Sequence, residues 1–276
     1  MPSRFAFATS FFIILLHLEG MNLAFNEALA SGYSSGSQIS RVVTEGWMRT
    51  NMYCPVCGAP MLHQYTANKP VADFYCEECK SDFELKSKET HSGNIGSTIA
   101  DGAYSTMIER ITSLRNPNLF VLTYSSWTVN NLLVIPNHFF TPAIIIKRPP
   151  LKETARRAGW IGCNIKIDDV PSSGRIFIIK DGCPEDKGKV FEQFQRSMEL
   201  RTERIESRGW LLDVLRCIDR IESKTFSLSE IYDFTDELKL RHPENNFVRD
   251  KIRQQLQVLR DKGYIKFTSR GYYQKI

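Results

Sequence analysis

The stretch that decides how this chain is read is DFYCEECKSDFELKSK, residues 73–88. It contains a C-x-x-C pair, Cys76 and Cys79. An acid, Asp73, precedes the pair, and Glu84 and Lys86 follow it two residues apart. Residues i and i+2 of a strand share a face. Glu84 and Lys86 therefore point together, while Phe83 and Leu85 point the other way, toward a core. A second pair, Cys54 and Cys57, lies upstream in CPVC, with eighteen residues between the pairs. That spacing belongs to the C-x2-C…C-x2-C zinc pattern. Four thiolates close a tetrahedral shell and leave no open position, so the expected Zn2+ is structural. The chain has seven cysteines, and Cys163, Cys183 and Cys217 are scattered. This pattern argues against a secreted disulfide scaffold and for a reducing, cytoplasmic setting.

Metal-assisted phosphodiester hydrolysis needs acids to hold a divalent cation. It also needs a positive group near the attacking water or the developing charge. One or two carboxylates suffice for Mg2+, because phosphate oxygens and waters complete its shell. Asp73 on one strand and Glu84-x-Lys86 on its partner supply such a set, with Asp73 and Glu84 as expected Mg2+ ligands. Glu-x-Lys alone is a weak signal. It recurs at 78–80 and 222–224, at 185–187 in a loop beside Gly, and at 237–239 on an amphipathic helix. Only the copy at 84–86 lies on an expected strand with an Asp on the facing strand, at 71–73. The second C-x-x-C then occupies the connection between the two strands. Zinc there would pin the turn and fix the register around the acids.

Working outward, GYSSGSQIS (32–40) reads as a Ser/Gly-rich loop and RVVTEGWMRTN after it as helix. IADGAYSTMIERITSLR has Ile99, Ala103, Met107, Ile111 and Leu114 at helical spacing. NPNLFVLTYSS and VNNLLVIPNHFF read as strands, and PPLKETARRAGWIGCNI as a polar loop entering a strand. GRIFIIKDG reads as a short strand. The order is that of an α+β domain. GKVFEQFQRSMELRTERIESRG is a charged helical stretch leading into a second domain. There GWLLDVLRCIDRI carries Leu212, Leu215 and Ile218 on one face. SLSE (227–230) is a capping box that opens a helix through Leu238. NNFVRDKIRQQLQVLRDKG starts at Asn residues able to cap, carries Val248, Ile252, Leu256 and Leu259 as a stripe, and ends at Gly263. YIKF, TSRG and YYQKI close as a hairpin. Three helices followed by a hairpin is the order of a winged helix-turn-helix.

At 276 residues, 42% hydrophobic and 24% charged, the chain is long and apolar enough for one large or two ordinary domains, which sets aside a disordered protein. The overall charge of +5 says little, but its placement says more. Residues 209–244 hold five bases against eight acids, and residues 245–276 hold eight bases against two. The third helix and the wing thus form a basic face suited to a polyanion. At the other end, MPSRFAFATSFFIILLHLEG has an apolar run too short to span a bilayer as a helix. ALAS at 28–31 has the form of a cleavage site, but Glu19, Asn22, Asn26 and Glu27 stand between it and the apolar run. The expectation is a translation start at Met21, with 1–20 an extension of the start site. No membrane association and no obligate protein partner is expected.

With these residues in view, the chain resembles the DpnI-type, or Dam-replacing, methyl-directed restriction endonucleases. The stretches that carry the resemblance are YCPVCG, NKPVADFYC, FELKSK, DGAYSTM, NPNLF, FVLTYSS, TARRAGWIGCNI, SRGW and IRQQLQVLRDK. They run from about residue 21 to the C-terminus. The resemblance implies a PD-(D/E)XK nuclease domain with a four-cysteine zinc site over residues 21–203, then a winged helix DNA-binding domain over 204–276. It implies Mg2+-dependent cleavage of double-stranded DNA at GATC containing N6-methyladenine, as in a type II restriction system. Asp73, Glu84 and Lys86 take the catalytic positions, and Cys54, Cys57, Cys76 and Cys79 the zinc positions. A methyl on adenine N6 protrudes into the major groove and offers an apolar contact. Arg156 and Arg157 suit phosphate or guanine, and Trp160 suits a methyl-lined surface. Asn246, Arg249, Arg253 and Gln254 on the third helix, and Arg270 on the wing, are further candidates for base or phosphate contact.

Two other readings stay open. A non-enzymatic zinc-containing winged helix regulator would need none of the Asp73, Glu84 and Lys86 set. A nuclease indifferent to methylation, or specific for another site, would need different loop geometry.

Overall fold

The computed structural model describes residues 20–66 and 72–276. Apart from Gly20, the expected N-terminal extension lies outside these residues, as does Val71 of the expected Asp strand.

α1 (Gly36–Asn51) opens the first domain. Behind it come β1 (His63–Gln64), β2 (Phe74–Tyr75), β3 (Asp82–Glu89), β4 (Thr98–Ala103) and α2 (Tyr104–Thr112). Then follow β5 (Asn118–Ser125), β6 (Thr128–Ile135), β7 (Ile145–Lys147), β8 (Gly162–Lys166), β9 (Ile176–Lys180), β10 (Cys183–Pro184) and α3 (Lys187–Met198). The main sheet has the order β1-β2-β3-β5-β6-β9-β10. β3 and β5 are parallel, and the other neighbours are antiparallel. A parallel pair needs a crossover connection, which β4 and α2 provide.

β5 and β6 are buried along almost their whole length, as strands covered on both faces must be. Their side chains alternate between two cores. Phe120, Leu122, Leu132 and Val134 join Val43, Trp47 and Met48 of α1 and Val190 and Phe194 of α3. Leu119, Val121, Leu133 and Ile135 join Met107 and Ile111 of α2. β3 carries the same alternation. Phe83 lies in the α1 core, while Glu84 and Lys86, beside Leu119 and Val121, share the α2 face.

Several elements differ from the sequence expectation. The stretch 99–114 is not one helix, because 98–103 forms β4, paired with β8 in a three-stranded sheet of order β4-β8-β7. Ile99 and Ala103 are four apart, a spacing that keeps two residues on one face of a helix and of a strand alike. The expected loop at 32–40 already contains the first turn of α1, whose burial begins only at Val43. The long charged helix breaks between Met198 and Ile205, where α4 (Ile205–Arg220) begins.

In the C-terminal part, β11 (Thr225–Ser227) leads into α5 (Leu228–Tyr232) and α6 (Thr235–Arg241). The capping box is present. Glu230 N–H donates to Ser227 Oγ at 3.2 Å, and Ser227 N–H donates to Glu230 Oε2 at 2.7 Å. The helix stops at Asp233, however, instead of reaching Leu238. α7 (Val248–Asp261) starts after Phe247, whose N–H is taken by Asn245 Oδ1 in the preceding loop. β12 (Ile265–Ser269) and β13 (Tyr272–Lys275) form the hairpin, and β11 joins it in a sheet of order β11-β13-β12. Every residue of α4 from Arg208 to Ile218 is buried. One apolar core runs from α2 and β5 through α4 to α7. Asp169, ahead of β9, pairs with Arg216 of α4 and Arg241 of α6. Among the described residues no helix is long and apolar enough to cross a membrane.

Candidate active site

The two cysteine pairs form matching knuckles. Gly58 N–H donates to Cys54 O at 2.9 Å, and Lys80 N–H donates to Cys76 O at 3.0 Å. In each knuckle the residue after the second Cys has positive φ, 80° at Gly58 and 58° at Lys80. The knuckles face one another, with Cys54 and Cys79 Sγ 3.7 Å apart and Cys57 and Cys76 Sγ 3.6 Å apart. All four Sγ atoms lie within 4.8 Å of one another. Tetrahedral ligation with Zn–S bonds of about 2.3 Å places neighbouring sulfurs about 3.8 Å apart. The cluster therefore has the donor type and spacing to hold zinc. Burial raises the Cys54 and Cys57 thiols, an effect that a bound dication would reverse.

The second knuckle is the turn between β2 and β3, as its place in the sequence implied. Phe74 pairs with Phe83 and Tyr75 with Asp82. Continuing that register by one residue sets Asp73 opposite Glu84, on the same face of the sheet. Asp73 N–H still donates to Phe83 O at 2.9 Å. Beyond it the ladder passes to the side chain, and Leu85 N–H donates to Asp73 Oδ2 at 2.7 Å. The Asp73 carboxylate is thus fixed against the β3 backbone at Leu85, the residue between Glu84 and Lys86.

The structure adds two groups there. Lys86 Nζ lies 2.7 Å from Glu84 Oε1 and 2.5 Å from Asp101 Oδ1. Arg110 of α2 reaches Glu84 Oε2 at 3.3 Å and Asp101 Oδ2 at 3.7 Å. The Asp101 side chain is only 4% exposed. Burial raises the Glu84 carboxyl, and Asp101 adds to this while Lys86 and Arg110 oppose it. Burial raises Asp101 too, but Lys86 outweighs it and the net shift is downward. For Lys86, burial favours the neutral form, yet Glu84 and Asp101 prevail and hold it charged, with a raised pKa. Sequence reasoning missed Asp101 and Arg110 because both fell inside the run read as a single helix. An Asp-Gly within that apolar run was the available signal of a strand with a bulge.

On the α1 side a cleft of about 490 Å³ is lined by Arg41, Thr44, Glu45, Leu85, Lys86 and Ser87. Glu45 accepts from Gln64 Nε2 at 2.8 Å. Burial raises its carboxyl; Arg41 lowers it, and nearby Asp73 adds to the rise.

The expected DNA contacts lie on two other surfaces. Arg156 and Arg157 are exposed in the loop before β8. The Arg157 guanidinium sits 4.7 Å from the Trp160 ring centroid. Trp160 is half-buried, and its ring lies close over Gly162, where any added Cβ would approach it to 2.7 Å. On the winged helix, Asn246, Arg249, Arg253, Gln254 and Arg270 are all exposed. Arg249 and Arg253 both lie over the ring of Tyr232, at 5.0 and 5.8 Å, so one tyrosine orders two guanidinium groups on one face. Asn246 Oδ1 accepts from Lys239. Phe247 beside it is 73% exposed. Neither Tyr232 nor Phe247 stood out in the sequence, since nothing there marked one aromatic as a platform or the other as unburied.

Comparison with known families agrees with this layout. Residues 21–203 match the model of the DpnI, or Dam-replacing, family. Residues 206–275 match that of the Dam-replacing HTH domain. The two matches span the four-cysteine hairpin, residues 73–86 and nearly all of the C-terminal helix-turn-helix part, and the chain belongs to the DpnI-type, Dam-replacing family.

Proposed function

We propose that this protein is a methyl-directed type II restriction endonuclease that hydrolyses double-stranded DNA at GATC sites carrying N6-methyladenine. Residues 21–203 are its PD-(D/E)XK nuclease domain and residues 204–276 its winged helix reader. The observation that carries the reading is the Asp73 carboxylate, held by Leu85 N–H between Glu84 and Lys86. A regulator has no use for that juxtaposition.

The donor set fits Mg2+. It offers hard carboxylate oxygens from Glu84 of β3 and from Asp73 just ahead of β2. Glu84, whose charge burial disfavours, would be stabilised by a dication. When bound, Mg2+ supplies positive charge to the scissile phosphate and lowers the pKa of a coordinated water. Asp73 and Glu84 would hold that cation. Lys86, kept charged by its acids, orients the attacking water or stabilises charge on the phosphorane. The β2–β3 edge would hold these groups in place before substrate arrives, since zinc on the four cysteines would clamp the turn that joins the strands. Arg249, Arg253 and Arg270 anchor phosphates or guanine, and Asn246 and Gln254 read base edges. Arg156, Arg157 and Trp160 meet the duplex from the nuclease domain, with Trp160 offering its ring to the adenine methyl.

The test uses plasmid from methylating and non-methylating hosts, with Mg2+ or with EDTA. Cutting of the methylated plasmid alone, and only with Mg2+, is the expected result. Equal cutting of both would reject methyl direction and spare the nuclease. No cutting of either by folded, zinc-loaded protein would favour a winged helix regulator.

A further inference from the structure

Lys86 Nζ and a cation held by Glu84 would compete for the same oxygen, since Glu84 Oε1 is now 2.7 Å from the ammonium. The other Glu84 oxygen is occupied by Arg110 at 3.3 Å. If Glu84 turns to a dication, Lys86 loses one of its two partners. A lysine side chain has four rotatable bonds, and an untethered one pays in entropy for every ordered position. Something other than Glu84 must hold this ammonium during the reaction.

Asp101 is built for that. It comes from β4, in a different sheet, so its position does not depend on the β2–β3 edge. β4 is pinned to β8 on both sides of Asp101, through Ala100 with Asn164 and Ala103 with Gly162. The register shifts between Asp101 and Ala103, a bulge. Bulges re-aim a side chain locally. The carboxylate lies 2.5 Å from Lys86 and is 4% exposed, so water does not screen the pair. Arg110 has a second ligand there as well, at 3.7 Å. Both bases at the site thus have two acids to choose between, one beside Asp73 at the strand edge and one behind it.

We propose that Asp101 is the positioning residue of the cleavage site: it keeps the Lys86 ammonium in place when Glu84 is taken by the metal. This rests on the nuclease reading above. Asp101 touches neither metal nor phosphate in this scheme. It acts mainly through Lys86, and secondarily through Arg110. In its absence Lys86 and Arg110 would both settle on Glu84 and hold it away from the cation.

The experiment is a double-mutant cycle of Asp101→Asn and Lys86→Ala in the full chain bound to methylated GATC duplex. Two quantities are measured: the single-turnover cleavage rate with Mg2+, and the affinity for Ca2+ by calorimetry. Asp101→Asn is expected to slow cleavage about 100-fold, a loss typical of misplacing a catalytic group, with DNA affinity and zinc content unchanged. It should also weaken Ca2+ binding about tenfold, because a freed ammonium competes for Glu84. In the Lys86→Ala background, Asp101→Asn should lose most of its effect on both quantities, leaving only the smaller part that passes through Arg110. Asp101→Glu, which keeps the charge, should recover at least a tenfold share of the lost rate. It also serves as the test if the Asn variant does not fold. Additive losses in the cycle would make Asp101 a metal ligand instead. Wild-type rate and Ca2+ affinity in Asp101→Asn would reject the inference. Neither result would touch the nuclease assignment, which stands on cutting by the unaltered chain.

Discussion

Two clusters of buried opposite charges lie in this protein, and they are finished differently. At the seam between the nuclease half and the winged helix, Asp169 pairs with Lys166, Arg216 and Arg241. Asp213 pairs with Arg241 and His242, and Glu237 with Arg216 and Arg220. Both oxygens of each carboxylate carry a base there. At the β3 edge, Lys86 and Arg110 are shared by Glu84 and Asp101. The third acid, Asp73, has a backbone N–H but no cationic partner among the described residues. The seam cluster is saturated and closed over by α4. Among the described residues, the edge cluster leaves the Asp73 carboxylate without a counter-ion, near Glu45 of the α1 cleft. The difference teaches where to look for function: a closed network satisfies all its acids, whereas the edge keeps negative charge that the proposed cation would take up.

The four-cysteine hairpin packs with the β3 edge and the α1 core and not with the seam, so its loss breaks the comparison most strongly. Structural zinc contributes on the order of 10 kcal/mol to folding of its own site. Cys79→Ser is expected to purify without zinc by elemental analysis and to lose cleavage as the β2–β3 turn frays. Full activity in a zinc-free protein would remove the structural role.

Glu84→Gln tests the edge cluster itself. The expected result is a drop in single-turnover cleavage of about 1,000-fold or more, since a metal ligand and its charge are both lost. Burial already disfavours the Glu84 charge, so stability in urea should stay within about 1 kcal/mol of the parent. Binding to methylated duplex should survive. Asp73→Ala and Lys86→Ala should behave likewise in cleavage.

Asp169→Asn is the mirror experiment at the seam. Removing the shared acid leaves Arg216 and Arg241 buried with fewer partners, at a cost of about 3–5 kcal/mol. Denaturant unfolding should register that loss, while the cleavage rate per folded molecule stays near normal. A rate collapse with unchanged stability would reverse the assignment of the two clusters.

His138, buried at the junction of β6 with α3, makes the seam side sensitive to pH. Its Nε2–H donates to Ser197 O at 2.8 Å. Burial lowers its pKa from 6.5 to about 4, and Arg201 and Arg208 add to the effect while the Ser197 bond opposes it. The folded state therefore refuses a proton that the unfolded chain accepts. Stability from this group is full above about pH 6.5, falls as the pH drops toward 4, and is lost below that. The loss amounts to about 3 kcal/mol. Urea melts of His138→Gln and parent between pH 7 and 4 should show a shallower slope in the variant.

The smallest effect concerns Lys80, whose φ of 58° is left-handed, whereas the matching place in the first knuckle holds Gly58. Lys80→Gly should stabilise by up to about 1 kcal/mol, read from thermal melts of the zinc-loaded protein.

The sequence alone determined the paired cysteine knuckles, the shared face of Glu84 and Lys86, and the C-terminal helix-turn-helix order. Each rests on local rules. Two C-x-x-C pairs can place four thiolates only at knuckle spacing, and i and i+2 of a strand must share a face. A capping box, an apolar stripe and a terminal glycine mark helices without reference to the rest of the chain. What only the tertiary structure decided is what approaches from far away. Asp101 belongs to a strand because β8 pairs with it, over sixty residues downstream. α5 and α6 part at Asp233 although the cap at Ser227 is intact. The face of α4 opposite its apparent stripe is buried as well, because the nuclease half covers it. Spacing within a segment records which residues share a face. It does not record what will be packed against that face, and that contact is what turned a lysine and a glutamate into a four-charge site.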